Sequence, residues 1–200
     1  MNKQFIAVDC DGVLLDWSSS FFEFMESVYG MKPDPKYLGS WCLAKAYGIT
    51  PEEAKEYIRI HNISARIGSL CSLPHSISTV KDLYYGHGYR FVVITALGND
   101  TFAERARIQN LKSLFSQVFS EIHIIGLGES KEEILTELHK KYNFVGWVED
   151  NVTNANVGHK LGIPSFLMRA YHNLDENEEN TENLIKVESW KEIANHLLNK

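Results

Sequence analysis

Two pairs of acidic side chains in this 200-residue sequence could hold a cation. Asp9 and Asp11 follow one short apolar run at a spacing of two residues, and Glu149 and Asp150 directly follow another. Carboxylates this close repel each other unless a cation or a proton lies between them. Their oxygens suit a hard divalent cation, and Mg²⁺ held by a few carboxylates is the ion that this set favours. Taken alone, either pair could also be a surface turn or the acidic first turn of a helix.

A hydroxyl group and a cation stand at two further boundaries between predicted elements. Thr95 ends the apolar run at residues 92–94, and Lys131 lies in the first turn of a predicted helix. A lysine there opposes the helix dipole at a cost of roughly 0.3–1 kcal/mol, which points to a function. Alone, the threonine would be a turn or capping residue and the lysine a solvated surface group. Together with the acidic pairs, both could bind the oxygens of a phosphoryl group.

Short apolar runs bounded by turn residues predict the strands that position these groups. The runs are apolar on both faces, which is typical of parallel strands covered by helices on both sides. Helical patterns with capping-box spacing at Thr101/Glu104 and Ser130/Glu133 separate the later runs, and this alternation predicts a doubly wound α/β sheet. Because the carboxyl ends of parallel strands meet at one edge, the four polar groups should converge there. The predicted strands are Phe5–Val8, Phe91–Ile94, Ile122–Ile125, Phe144–Val148 and Ser165–Met168.

The interval between the first two predicted strands is too long for a single crossover. It contains a helical pattern at Ser18–Tyr29 and a helix start at Thr50, where proline and glutamate follow in capping positions. We therefore predict a core formed by residues 1–16 and 73–200, with a small helical cap at residues 17–72. The polar segment 172–183 is predicted to be a solvated loop, and an amphipathic helix that starts near Trp190 should pack on the sheet.

Composition excludes several classes of partner. Lys and Arg total 20 against 26 Asp and Glu, a net charge of −6 that argues against binding a nucleic-acid polymer but permits a small anionic substrate. The sequence has no run of the roughly 18 apolar residues that span a bilayer, so we expect no membrane partner. Three cysteines, Cys10, Cys42 and Cys71, lack zinc-site spacing and indicate a reduced, cytoplasmic protein. The oligomeric state stays open.

The order of the four polar groups resembles the haloacid dehalogenase superfamily of phosphohydrolases. Its motifs appear as the string Asp9-Cys10-Asp11-Gly12-Val13, then Thr95, Lys131 and the pair Glu149-Asp150. The resemblance implies a Rossmann-like α/β core with a C1-type cap inserted after the first motif. It also implies a Mg²⁺-dependent phosphatase that works through an aspartyl-phosphate intermediate. The second aspartate of the first motif argues against dehalogenation.

The resemblance also assigns a role to each motif residue. Asp9 would be the nucleophile, and Asp11 the general acid that later serves as the base. Thr95 and Lys131 would hold the transferring phosphoryl group. The implied Mg²⁺ ligands are Asp9, the Asp11 backbone carbonyl, Asp150 and, through water, Glu149.

The stretch from Asp9 to Trp17 is similar to the 5′(3′)-deoxyribonucleotidase branch, in which an aromatic ring at the position of Trp17 stacks on the base. Trp41 resembles a second aromatic site of that branch, whereas Ala96 replaces its usual serine and leaves a backbone N–H for phosphate. With Gly12, which permits the turn, these are the predicted substrate-side residues, and nucleoside monophosphates are the predicted substrates. The alternative functions are a phosphatase or phosphomutase that acts on a sugar phosphate or another small metabolite, and a catalytically silent binding module. Trp17 and Trp41 could also serve only to join the cap to the core.

Overall fold

A computed structural model describes residues 3–39, 42–174 and 177–199. Six strands form one sheet in the order β3-β2-β1-β4-β5-β6, and each neighbouring pair is parallel. The predicted doubly wound α/β class is therefore confirmed. The strands are β1 Gln4–Val8, β2 Tyr89–Ala96, β3 Phe119–Ile125, β4 Gly146–Glu149, β5 Ser165–Met168 and β6 Ile185–Val187.

Helices cover the sheet and form the insert, and no described helix is long and apolar enough to cross a membrane. Short 3₁₀ turns lie at Pro35–Tyr37, Ala65–Gly68 and Tyr171–Asn173. The α-helices are α1 Trp17–Tyr29, α2 Leu43–Tyr47, α3 Pro51–Asn62, α4 Ser76–Tyr85, α5 Thr101–Phe115, α6 Glu132–Tyr142, α7 Val152–Lys160, α8 Glu178–Thr181 and α9 Trp190–Leu198.

Helix starts match the sequence patterns only in part. The predicted capping box of Thr50 with Glu53 is present at α3. At α5 the cap is instead Asp100, whose side chain accepts the N–H of Ala103. At α6 the helix begins after Lys131, so the predicted capping boxes of α5 and α6 are both wrong. Several side chains at these starts can accept a backbone N–H, and the final backbone path selects among them.

Both faces of the sheet are buried, as the apolar runs predict. In β1, Ile6 and Val8 pack in the main core cluster, whereas Ala7 faces a second cluster on the opposite side. In β2, Phe91 likewise packs in the main core cluster and Val92 in the second cluster. Both faces of these strands are therefore packed within the core, as is typical of parallel strands covered by helices.

The insert forms its own apolar cluster around Phe21, Phe24 and Met25 of α1 together with Tyr47 of α2. Its later part contacts the sheet layer, because Ile67 and Leu70 belong to the main core cluster. Asn110 of α5 donates a hydrogen bond to the Leu70 carbonyl. The predicted boundary at residue 72 stays a prediction.

Two features near the C-terminus differ from the sequence prediction. The strand β6 was not predicted, because its three residues, Ile185–Val187, are too few to show a periodic pattern. The segment predicted as a solvated loop contains the short helix α8, and His172, Asn173 and Thr181 within it are buried, so that prediction is wrong at these positions. The side-chain amide of Asn173 donates hydrogen bonds to the carbonyls of Met168 and Asp150, which offset the cost of burying it.

Candidate active site

The turn after β1 brings Asp9 against the loop that follows β4. The N–H of Asp9 donates to the Val148 carbonyl across the strand pair at 2.9 Å. Gly12 has φ of +73°, and a Cβ atom there would lie 1.8 Å from Oδ2 of Asp150. Only glycine permits both this backbone conformation and the close approach of the Asp150 carboxylate. Gly12 therefore lets the two acidic motifs meet.

Lys131 lies between carboxylates of both acidic motifs. Its Nζ is 2.7 Å from Oδ1 of Asp9 and 2.5 Å from Oε1 of Glu149, and all three side chains are buried. Burial by itself would lower the pKa of Lys131, but the two carboxylates outweigh it and hold that pKa above its usual value. Lys131 is thus a buried, charged ammonium group, not a solvated surface lysine.

Three acidic residues form a compact group that fits a divalent cation. Asp9, Glu149 and Asp150 each offer a carboxylate oxygen, and these oxygens lie within 4.8 Å of one another. Burial raises the pKa of Asp9 well above its usual value; Lys131 opposes this rise, whereas Glu149 and Asp150 add to it. A second positive charge would offset the remaining repulsion among these buried carboxylates. Oxygen donors of this kind are those that Mg²⁺ prefers.

Glu149 differs from the other two acids because both of its oxygens are already engaged. Oε1 contacts Lys131, and Oε2 accepts the backbone N–H groups of Asp150 and Asn151 at 3.0 and 2.9 Å. This arrangement suits Glu149 to holding Lys131 and the loop in place. Asp9 and Asp150 keep more oxygen lone pairs for direct contact with a cation.

Thr95 lies at the carboxyl end of β2 and is only 1% exposed. Its hydroxyl has no hydrogen-bond partner within the described part of the chain. A buried hydroxyl without a partner costs free energy, and a bound phosphoryl oxygen would satisfy it. The next residue, Ala96, is half-buried and ends the strand.

Arg107 of α5 is a component of the site that sequence reasoning missed. It is fully buried, and its Nη1 and Nη2 lie 2.7 and 3.0 Å from the two carboxylate oxygens of Asp11. Nη1 also contacts the Cys10 sulfur at 2.9 Å. A sequence signal for this burial exists, because Arg107 stands at four-residue spacing between the core residues Ala103 and Leu111.

His172 and Asn173 also support the site and were missed. Nε2 of His172 is 3.1 Å from Oδ2 of Asp150, and the Asn173 amide donates to the Asp150 backbone carbonyl at 2.9 Å. The segment that follows β5 thereby contacts both the carboxylate and the backbone carbonyl of Asp150. Their polar, aperiodic sequence context carries no signal for this contact.

Trp17 lies where the cap joins the core. Its indole N–H donates to Oδ1 of Asn62 at 2.9 Å, and its ring stacks on Phe21 with centroids 4.8 Å apart. The same Asn62 donates to the Leu97 carbonyl in the loop after β2. These contacts give Trp17 a structural role in anchoring the cap. Trp41 lies outside the described residues.

Cys10 does not take part as a nucleophile in this arrangement. Its side chain is fully buried, and burial raises the pKa of the thiol. A thiol in this state is a poor nucleophile. All three cysteines of the chain are free, as expected for a protein without structural disulfides.

No family model matches this chain. Among solved structures, a Burkholderia xenovorans protein described as a haloacid dehalogenase-like hydrolase covers 100% of the chain and 98% of its own length, with a TM-score of 0.63 and 16% identity. A β-phosphoglucomutase from Pyrococcus sp. covers 98% and 97%, with a TM-score of 0.58 and 18% identity. The chain has the haloacid dehalogenase-like fold.

A further solved structure and one protein similar in sequence also match this chain. A solved structure of D,D-heptose 1,7-bisphosphate phosphatase from Burkholderia thailandensis is similar over 99% of this chain and 100% of its own, with a TM-score of 0.56 and 13% identity. In sequence, the chain is 27% identical over 203 residues to an uncharacterized 32.4 kDa protein from the gp30–rIII intergenic region of Enterobacteria phage T4. That alignment covers 98% of this chain and 70% of the phage protein.

Proposed function

We propose that this protein is a Mg²⁺-dependent phosphomonoesterase that forms an aspartyl-phosphate on Asp9. The observation that carries the proposal is the meeting of Asp9 with Lys131 and Asp150 in one buried group at the carboxyl edge of the sheet. The unpartnered Thr95 hydroxyl at the end of β2 adds a donor for a phosphoryl oxygen. The haloacid dehalogenase-like fold supports the same reaction class.

The reaction would run in two displacements on phosphorus. In the first, an Asp9 oxygen forms a bond to phosphorus, the bond to the leaving oxygen breaks, and Asp11 gives that oxygen a proton. In the second, water attacks phosphorus, gives a proton to Asp11, and releases inorganic phosphate and free Asp9. Lys131 and Thr95 hold the phosphoryl oxygens, and Lys131 also reduces the repulsion between Asp9 and the anionic substrate.

The cation would be held by Asp9, Asp150 and the backbone carbonyl of Asp11, with Glu149 acting through water. When bound, Mg²⁺ supplies positive charge that offsets the negative charge of the phosphoryl group. The raised pKa of buried Asp9 is consistent with a site that needs such a charge to keep this carboxylate ionised.

Asp9→Asn tests the nucleophile directly. We expect wild-type protein to release phosphate from p-nitrophenyl phosphate with Mg²⁺ and to lose this activity in EDTA. The amide that replaces the carboxylate cannot form an acyl phosphate, so turnover should fall at least about a thousandfold while circular dichroism stays unchanged. Asp82→Asn, which alters an exposed carboxylate of α4, is the matched control and should keep full activity. Substantial activity in Asp9→Asn, or activity without metal, contradicts the proposal.

The same experiment distinguishes the proposed phosphatase from a catalytically silent binding module. Such a module would bind phosphorylated compounds without turning over any of them. The buried, mutually repelling acids argue against that alternative, because an unused site gains no stability from them.

For the substrate we propose a nucleoside or deoxynucleoside monophosphate, with Trp17 contributing an aromatic surface. A phosphorylated sugar is the second candidate, and it is favoured by the engagement of the Trp17 ring with Phe21 and Asn62. A panel of phosphorylated metabolites separates the two. We expect no nucleic-acid polymer and no membrane as a partner.

Trp17→Ala tests the aromatic contact. Because base stacking is worth about 1–3 kcal/mol, we expect KM for nucleoside monophosphates to rise roughly 5- to 150-fold, with little change for glycerol phosphate. Asn62→Ala is the matched control, since it removes the same cap anchor but no ring. An equal loss with both substrates in both variants would show that Trp17 only joins the cap to the core.

A further inference from the structure

We propose that Arg107 is a positioning residue that fixes the carboxyl group of Asp11 for the second displacement, in which water attacks the phosphoenzyme. This inference rests on the proposed function, since it presupposes the aspartyl-phosphate on Asp9. It concerns a residue that lies outside the four sequence motifs and that contacts the Asp11 and Cys10 side chains of the first motif.

The geometry of the contact carries the inference. Nη2 donates a hydrogen bond to Oδ2 of Asp11 at 3.0 Å, and Nη1 forms an ion-pair contact with Oδ1 at 2.7 Å, so the guanidinium group lies against both oxygens of the carboxylate. Two points of contact restrict the rotation of the carboxylate as well as its position. Lys131 and Asp9, by comparison, make a single contact. The rotation of the Asp11 side chain is therefore set by Arg107.

Asp11 lies outside the compact acidic group of the site. The compact acidic group found among the described residues consists of Asp9, Glu149 and Asp150 and does not include Asp11. The Asp11 side chain keeps 23% of its surface exposed, whereas Arg107 is fully buried beneath it. Asp11 thus faces solvent on one side and Arg107 on the other, which suits a group that must meet an incoming water.

Packing alone does not account for Arg107. Its neighbours at four-residue spacing, Ala103 and Leu111, are apolar core residues, and an apolar side chain at position 107 would continue the same face. Burying a guanidinium group carries a large desolvation penalty, and the polar side chains that contact it within the described residues are Asp11 and Cys10. The charge therefore acts on the motif that carries the nucleophile.

Loss of this positioning should affect the two displacements unequally. The p-nitrophenolate group leaves without a proton, so formation of the phosphoenzyme from p-nitrophenyl phosphate does not need Asp11. Hydrolysis of the phosphoenzyme does need it, because the attacking water must transfer a proton to Asp11. A misplaced Asp11 should thus let the phosphoenzyme accumulate.

The experiment is rapid-mix kinetics of Arg107→Met with p-nitrophenyl phosphate and Mg²⁺. We expect a burst of p-nitrophenolate near one equivalent, then a steady rate roughly 10- to 100-fold below wild type, as loss of part of a general-base contribution predicts. Intact-protein mass spectrometry should detect the phosphoenzyme. Arg107→Lys, which keeps the charge but not the two-pronged contact, should give a smaller burst and partial recovery of the rate.

Controls separate positioning from stability. Asn110→Leu removes a buried polar contact of the same helix, to the Leu70 carbonyl, and should lower the unfolding temperature without any burst. Asp11→Asn should also accumulate phosphoenzyme, and adding Arg107→Met to it should cause no further loss. If Arg107→Met does not fold, Arg107→Lys provides the same test.

The outcomes are distinguishable from failure of the proposed function. A wild-type protein without phosphatase activity overturns the proposed function and this inference with it. An active wild type whose Arg107 variants slow both displacements equally, or show full activity, overturns only the role of Arg107. Additive losses in the double variant Asp11→Asn/Arg107→Met do the same.

Discussion

Lys131 lies with Asp9 and Glu149 out of contact with bulk water, and its ammonium group compensates the negative charges of both carboxylates. Arg107 and Asp11 form a second pair directly beside them. Removing the cation of either set, Lys131 or Arg107, leaves a carboxylate without its compensating charge, which costs about 3–5 kcal/mol where the carboxylate is buried. At the residue scale, the chemistry and the stability of the site are therefore coupled.

His61 provides a test of how burial affects a titratable side chain in the cap. It is fully buried in the cap, where its Nε2 contacts the Ser20 hydroxyl at 3.0 Å and its ring packs against Trp17 and Phe21. Burial lowers the pKa of His61 to about 4 from an ordinary value of 6.5. Between these two pH values the unfolded chain binds a proton that the folded protein does not.

The free energy of unfolding should therefore fall as pH decreases from 6.5 to 4, by up to about 1.4 kcal/mol per pH unit from this residue. His61→Gln removes this contribution, so the wild-type advantage over the variant at pH 7 should shrink by about 1–3 kcal/mol at pH 4. Urea unfolding of both proteins across this pH range measures the difference in their free energies of unfolding. His87→Gln, at an exposed position, is the control, and a difference that stays constant with pH would contradict the burial argument.

At the scale of elements, α9 contacts the turn that carries Asp9 and Asp11. Trp190 opens α9 and is fully buried, and its indole N–H donates to the Val13 carbonyl at 2.7 Å. Val13 belongs to the turn that carries Asp9 and Asp11. The C-terminal helix thus supports a turn that lies 177 residues earlier in the chain.

Trp190→Phe tests this support. The variant keeps an aromatic ring in the core but leaves the buried Val13 carbonyl without its donor, which should cost about 1–3 kcal/mol of unfolding free energy. Leu198→Ala, on the same helix but 41% exposed, should cost less than about 0.5 kcal/mol. Guanidinium unfolding compares the two, and equal effects would show that the indole hydrogen bond contributes nothing.

At the scale of the whole molecule, the sheet brings the carboxylates of Asp9, Glu149 and Asp150 together, and a bound cation should reduce the repulsion among them. A ligand that binds only the folded state stabilises it by about 2.7 kcal/mol at one hundred times its Kd. Saturating Mg²⁺ should therefore raise the unfolding temperature of the wild type by roughly 5–10 °C over the value in EDTA.

Asp150→Asn should lose most of this Mg²⁺-dependent shift, because Asp150 is one of the two acids with free oxygens in the acidic group. Differential scanning calorimetry measures the shift with and without Mg²⁺. Asp82→Asn should keep it in full. An Asp150→Asn protein that gains as much from Mg²⁺ as the wild type would place the cation elsewhere.

Local patterns in the sequence determined much of the framework. Apolar runs of four or five residues located five of the six strands, and Thr50 marked the start of α3, because both signals lie within a few neighbouring residues. The α/β order then implied that Asp9, Lys131 and Asp150 meet at one edge, since parallel strands end on the same side. The structure places these three together.

Only the tertiary structure decided which distant side chains complete the site. Arg107 contacts Asp11, which lies 96 residues earlier in the sequence, and Asn173 contacts Asp150, which lies 23 residues earlier. No local sequence pattern indicates either pairing. The short strand β6 and the bond between Trp17 and Asn62 likewise depend on long-range packing. Sequence periodicity reports which face of an element is buried, but not which partner it meets there, because that choice is made by the folded chain as a whole.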